Sequence, residues 1–189
     1  MWEDGMALKP KKKISDDTSL TRTIHRIASQ LAEAYPDFKN VVLVGVHTRG
    51  VPIAKRIAKA LETLGVKKVP LGALDITLYR DALTTIAANP VVKTTQLDFA
   101  VDGKTVVLVD AVLFTGRTVR AALDAVMDWG RPASITLAVL VDRGHRELHI
   151  QADFTGKTVP TSKTEIVEIR LKEIDGEDSV WIMEKDDGT

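Results

Sequence analysis

Cysteine is absent from the 189 residues. That excludes disulfides, thiolate metal centres and cysteine nucleophiles. Net charge is absent as well: 26 basic side chains meet 26 acidic ones, so global charge gives no argument for nucleic acid, and any basic patch must be judged locally. No run approaches the ~18 apolar residues of a membrane span, and the first residues lack the apolar stretch of a secretion signal. No internal repeat and no low-complexity segment interrupts the chain. What remains is a chain with 44% apolar residues, ordinary for a globular protein and long enough to bury one full core. The expectation is a flexible N-terminal tail over residues 1–14, with Lys9 and Lys11 to Lys13, followed by a single domain over 15–189. Cytoplasmic residence fits this composition, with no membrane partner.

The most informative stretch is Val-Val-Leu-Val-Asp-Ala-Val-Leu-Phe-Thr-Gly-Arg-Thr at 106–118. Four apolar residues read as a buried strand, an acid closes it, and a Gly/Thr loop opens a helical pattern. Backbone N–H groups and the dipole at a helix N-terminus favour a phosphate dianion, and threonine hydroxyls add donors. Asp110 stands where sugar hydroxyls or a metal ion would be held. Position 111 is alanine, so only one carboxylate is offered.

The same alternation runs through the chain. Asp16 or Asp17 can cap a helix over 18–34, with Leu20, Ile24, Ile27 and Leu31 at helical spacing. Val41 to Val44 read as a buried strand, followed by the loop 47–50 and a helix with Pro52 in its first turn. A strand falls within 71–79. Residues 81–100 lack a sustained period, and a loop of that length in a compact domain is often a functional lid. A strand at 105–109, a loop at 110–116, a helix at 117–129 and a strand at 135–141 follow. Shorter strands are expected at 148–154, 165–171 and 180–184. Strands alternating with helices predict an α/β fold: a mostly parallel central sheet, helices on both faces, and a short C-terminal hood of strands. Ligands of such sheets bind at the C-terminal strand ends. The loops 47–50, 110–116 and 142–145 share that edge.

Several blocks carry a family resemblance. Val-Gly-Val-His-Thr-Arg-Gly (44–50), Leu-Asp-Ile-Thr-Leu-Tyr-Arg-Asp (74–81), the 106–118 stretch continuing through Ala125, Leu-Val-Asp-Arg-Gly-His-Arg-Glu-Leu (140–148) and Pro-Thr-Ser-Lys (160–163) resemble class I phosphoribosyltransferases. Within that fold they resemble the bifunctional pyrimidine operon regulators with uracil phosphoribosyltransferase activity. The resemblance implies UMP synthesis from uracil and phosphoribosyl pyrophosphate (PRPP) with Mg²⁺. It also implies a uridine nucleotide (UMP or UTP) as effector, binding to a leader RNA of the pyrimidine operon, and a homodimer or homotetramer.

By that resemblance Thr115, Gly116, Arg117 and Thr118 would cradle the 5′-phosphate, with Ala111, Val112, Leu113 and Phe114 completing the loop. Asp110 would accept from a ribose hydroxyl and help place Mg²⁺. Thr48, Arg49 and Gly50 would form the pyrophosphate loop. Tyr79, Arg80 and Asp81 open the long loop, where Arg80 would steady the leaving pyrophosphate. Asp142 and Arg143 belong to the nucleotide site. Arg26, Thr48, His145, Arg146, Lys157 and Lys163 match or neighbour RNA-contacting positions.

The chain departs from the family pattern at four places. Two acid doublets are reduced to Asp110-Ala111 and Asp81-Ala82. The first helix reads His25-Arg26-Ile27-Ala28-Ser29 where Thr-Arg-Ile-Ala-His is expected. His149 and Gln151 replace the usual Pro and Arg. A weakened transferase that keeps nucleotide binding is therefore expected. The alternatives are a non-catalytic nucleotide-sensing RNA-binding protein, or a phosphoribosyltransferase for another base.

Overall fold

A computed structural model describes residues 8–79 and 94–186. The segment 80–93 lies outside the described residues. Val41–Val46 forms β2, which is buried at every position. Such an unbroken apolar run is what a strand covered on both faces requires. Leu71–Leu74 is β3, Thr105–Leu113 β4, Ser134–Asp142 β5 and Phe154–Thr158 β6. All pair in parallel, in the order β3-β2-β4-β5-β6.

Three helices clothe this sheet. Asp17–Ala34 is α1, Gly50–Thr63 α2 and Arg117–Met127 α3. Asp16 caps α1 by accepting a hydrogen bond from the Ser19 backbone N–H at 2.8 Å. Alternate residues of β4 sort onto the two faces. Val107, Val109 and Ala111 join the core beneath α1 and α2, with Ile27, Leu31, Ile53 and Ile57. Val106 and Leu108 join the core beneath α3, with Val119, Ala122 and Val126.

The expected doubly covered sheet is therefore present, with its hood. Leu8–Ser15 forms β1, Ile166–Arg170 β7, Lys172–Asp175 the one-turn helix α4, and Ser179–Lys185 β8. These strands make an antiparallel sheet in the order β1-β8-β7.

Several expectations are corrected. Residues 8–14 are not a loose tail; they pair along β8 from Leu8↔Lys185 to Ser15↔Val180. Lys9 and Lys11 face acids of the hood, the latter 2.6 Å from Glu165. A lysine-rich strand with Pro10 is characteristic of a protected sheet edge rather than of a tail. The strand expected at 148–154 begins only at Phe154. Leu148 and Ile150 instead flank Gly116, where a Cβ would lie 3.3 and 3.4 Å from theirs. The third parallel strand does not stop at Val109 but keeps pairing to β5 as far as Leu113↔Asp142. The strand within 71–79 is short and gives way to a 3-10 turn at Thr77–Tyr79. Asp75 closes that turn, accepting from the Thr77 N–H at 3.0 Å and its hydroxyl at 2.6 Å. Among the described residues no helix is long and apolar enough to cross a membrane.

Candidate active site

The chain runs outward from β2 to β3, then returns to place β4 on the other side of β2. Adjacent strands whose connections leave in opposite directions open a crevice at their C-terminal ends. Here those ends carry Thr48-Arg49-Gly50 and Asp110-Ala111. Two glycines bring the loops together. A Cβ on Gly45 would lie 2.5 Å from the Val51 Cα, so the loop folds back tightly over the end of β2. A Cβ on Gly50 would lie 2.2 Å from the Val109 carbonyl oxygen and 3.3 Å from the Asp110 Cα. Only a hydrogen fits between the backbones. The His47–Thr48 peptide in this loop is cis.

Beyond Asp110 the strand leads to Phe114 and the start of α3. Gly116 occupies the helix N-cap with φ 94°, a left-handed conformation for which glycine is suited. The Thr115 carbonyl accepts from the backbone N–H groups of Glu147 and Leu148, at 2.9 and 3.0 Å. The Thr115 hydroxyl lies 3.4 Å from the Arg117 N–H. These bonds fix a helix mouth whose amides suit an anion. Arg117 pairs with Glu147 at 2.7 Å, both half-exposed. Asp110 accepts from the Ala111 N–H at 2.7 Å. Ala111 is 7% exposed and packs into the apolar core.

The loop after β5 is the third wall. Arg143 is only 4% exposed. Its guanidinium stacks 4.0 Å from the centre of the Phe114 ring. It donates to the Thr161 hydroxyl at 3.2 Å and the Ser162 carbonyl at 2.8 Å. Burial lowers its pKa from the ordinary arginine range, Glu165 opposing only weakly. Asp142 accepts from the Gly144 N–H at 2.9 Å and from the Arg146 guanidinium. His145 takes a left-handed conformation, φ 61°. Its Nε2 lies 2.6 Å from the Thr161 carbonyl oxygen. Non-glycine residues in that region concentrate at functional loops.

The expected RNA contacts separate into two groups. Arg146 donates to the carbonyls of Phe114 and Ile150, both at 2.9 Å, besides Asp142. Lys157 donates to the hydroxyls of Ser15 and Ser19 at 2.8 and 3.0 Å. Arg146 ties loops of this chain together, and Lys157 ties β6 to β1 and α1. Lys163 and Thr48 are exposed, as is Arg26, which donates to the Gly156 carbonyl.

Two site residues differ from expectation in what they touch. Tyr79 reaches the far end of α3, its hydroxyl donating to Asp128 at 2.5 Å, which raises the phenol above its ordinary pKa. Arg49 belongs to the expected pyrophosphate loop. Its guanidinium instead bonds the Ile169 carbonyl at 2.6 Å and Asp175 at 2.9 Å, in the hood. Arg80 and Asp81 lie outside the described residues, as does Ala82. Sequence reasoning missed Gly45 as the reason the first loop can turn back. It also missed Phe114 and Thr161 as the partners of Arg143. Glycine after four strand residues was the available signal for the first; nothing local marks the second.

A five-stranded parallel sheet with a glycine-capped helix mouth, a facing loop at the switch point and a hood is the architecture of the phosphoribosyltransferase class. The phosphoribosyl transferase domain model matches residues 11–174, and the chain belongs to that family. More narrowly, it is 59% identical over 174 residues to the Bifunctional protein PyrR of Clostridioides difficile, covering 92% of this chain and 98% of the relative. It is 52% identical over 176 residues to the protein of the same name from Thermus thermophilus, covering 93% and 97%. Among solved structures, the hypoxanthine phosphoribosyltransferase of Trypanosoma cruzi superposes with a TM-score of 0.71 at 17% identity, covering 94% of this chain and 98% of that one. The Staphylococcus aureus enzyme of that name gives 0.69 at 16%, covering 94% of each. At such identities these structures share the fold.

Proposed function

We propose that the crevice between β2 and β4 binds PRPP and transfers its ribosyl phosphate to uracil. The supporting observation is the direct seating of Gly50 on Val109 and Asp110, which brings the loop 47–50 against the strand that leads to the loop 114–118. The 5′-phosphate sits on the N–H groups of Thr115 to Thr118 and the ribose hydroxyls on Asp110. The pyrophosphate lies on the backbone of Thr48 to Gly50. A bond forms between uracil N1 and the anomeric carbon as the bond from that carbon to the pyrophosphate oxygen breaks. The N1 proton leaves to solvent, and UMP and pyrophosphate are released. Arg80 and Asp81, in the segment that follows Tyr79, attend the leaving group.

Among the described residues no cluster of three acidic or histidine side chains could hold a metal ion. Asp110 alone fits the commoner arrangement for Mg²⁺, in which one carboxylate assists substrate phosphates. When bound, the ion neutralises charge on the leaving pyrophosphate. The base is assigned from similarity to the PyrR proteins, not from the purine-enzyme structures that share the fold.

The uridine nucleotide made in this crevice is also the effector of a second role, binding leader RNA of the pyrimidine operon and causing attenuation. Exposed Lys163, Thr48 and Arg26 serve as RNA contacts in a cytoplasmic homodimer or homotetramer. A second reading, a nucleotide-sensing regulator with little catalysis, is favoured by one observation. Ala111 supplies an apolar contact where the family pattern has a second carboxylate. Incubation of uracil and PRPP with the protein, with UMP and pyrophosphate quantified together, tests the transferase reading. Stoichiometric appearance of both supports it; PRPP binding without either product supports the second reading.

A further inference from the structure

Arg49 sits between two parts of the molecule that share no strand. It ends the loop after β2 and begins α2, yet its guanidinium lies in the hood. There Nε donates to the Ile169 carbonyl at 2.6 Å and Nη2 to Asp175 Oδ1 at 2.9 Å. The other Asp175 oxygen accepts from the Leu171 N–H at 2.9 Å, so the carboxylate is fixed from its own side. Two helical turns further along α2, Arg56 grips the same hood segment. It donates to Glu173 through Nε and Nη2, and to Asp178 through Nη2 and Nη1 at 2.8 and 2.9 Å. Lys172 reaches Asp17 of α1 at 2.9 Å. The one-turn helix α4 is thus clamped to the start of α2 and the start of α1.

From this we infer that Arg49 is a positioning residue, and that the hood, through Asp175, sets where the loop 47–50 lies. Two-point contact from a planar guanidinium fixes direction as well as distance, which a lysine ammonium cannot reproduce. The side chain leaves Cα towards α4 while the backbone of the same residue faces Asp110 through Gly50. Releasing the guanidinium frees one end of a loop whose other face rests on β4. The inference rests on the PRPP reading of the crevice: the loop's backbone receives pyrophosphate, and Asp175 acts on that binding without touching it.

The experiment uses the full chain with Asp175→Asn, Arg49→Lys, Arg49→Gln and Asp175→Asn/Arg49→Gln. PRPP affinity is measured by calorimetry, amide exchange is followed over residues 46–52, and thermal midpoints report general damage. Asp175→Asn and Arg49→Gln each should weaken PRPP about tenfold, the order of one charge-assisted hydrogen bond. The double variant should be no weaker than the weaker single one. Arg49→Lys should fail to restore binding, and exchange over 46–52 should quicken in every variant. Unchanged affinity and exchange in Asp175→Asn, or single effects that multiply in the double variant, would overturn the inference. Failure of the unaltered protein to bind PRPP would instead overturn the functional reading, leaving the exchange measurement to decide whether the hood holds the loop.

Discussion

Gly50 and Val109 approach so closely that a methyl group on the glycine would lie 2.2 Å from the valine carbonyl oxygen. Backbone cannot yield there as a flexible side chain could, because Val109 is held in register with Gly45 on one side and Ala138 on the other. Gly50→Ala must therefore displace the loop. The expected cost to stability is about 1–3 kcal/mol, as for other overpacked sites. PRPP affinity should fall by more than about tenfold, since misplacement of about 1 Å can cost 100-fold in reactivity. Chemical denaturation with parallel calorimetric titration checks both numbers. Native affinity in a stable Gly50→Ala protein would separate the two loops functionally.

The RNA positions should divide as their contacts do. Lys163→Ala should weaken leader RNA in a low-salt gel shift with UMP present, leaving the thermal midpoint unchanged. Arg146→Ala removes bonds to Asp142, Phe114 and Ile150 together. It should lower stability by about 2–3 kcal/mol, the range for a charge-assisted contact within a network. Any RNA defect in Arg146→Ala should therefore accompany a lowered midpoint. An RNA defect without loss of stability would show that Arg146 meets RNA directly.

Much of this architecture could be read from the chain because its determinants are local. Leu20, Ile24, Ile27 and Leu31 repeat at helical spacing, and Asp16 lies one position ahead of α1. Val106 to Val109 declare a strand buried on both faces. The strand-to-helix turn proposed as the phosphate cradle was legible for the same reason: strand, acid, glycine and helix follow one another within thirteen residues. Strand β1 was not legible, since its partner β8 comes some 170 residues later and its exposed lysines carry no apolar alternation. The roles of Arg49, Arg143 and Arg146 were hidden likewise. Arginine at a loop reads as a ligand for phosphate, and only tertiary packing shows Asp175, Phe114 or Asp142 beside it. Gly156 shows how β6 was misplaced: a Cβ there would lie 2.3 Å from the Leu140 carbonyl, so the strand falls where glycine permits close packing, not where Leu148 and Ile150 suggest.

The hood clamp makes a pH prediction. Burial of Asp178 favours its neutral form, but the Arg56 guanidinium and the Lys172 N–H outweigh that, and its carboxyl lies below the ordinary value. Glu173 is lowered chiefly by its bond from Arg56. Groups depressed on folding stabilise the native state above their unfolded pKa values, about 3.9 for Asp and 4.3 for Glu. That contribution is lost as pH falls through the folded values. Arg56→Gln should therefore be less stable than the native protein above about pH 5. The gap should narrow as pH falls towards about 3. Urea unfolding at a series of pH values measures it. A gap independent of pH would mean that these carboxylates do not owe their depression to Arg56.

The most direct test concerns Asp110 and its neighbour Ala111. Restoring one charge-assisted bond to ribose is worth about 1.5–3 kcal/mol, or about 10- to 150-fold in rate if it acts wholly in the transition state. Steady-state formation of UMP from uracil and PRPP should be slow with the native chain and faster with Ala111→Asp, by that factor less the cost of seating a carboxylate where Ala111 packs against the apolar core. Hypoxanthine should be a poor substrate for both. Equal rates for the two proteins would contradict the assignment of Ala111 as the weakening substitution. Turnover of hypoxanthine in preference to uracil, or no product from either protein, would contradict the uracil transferase reading itself.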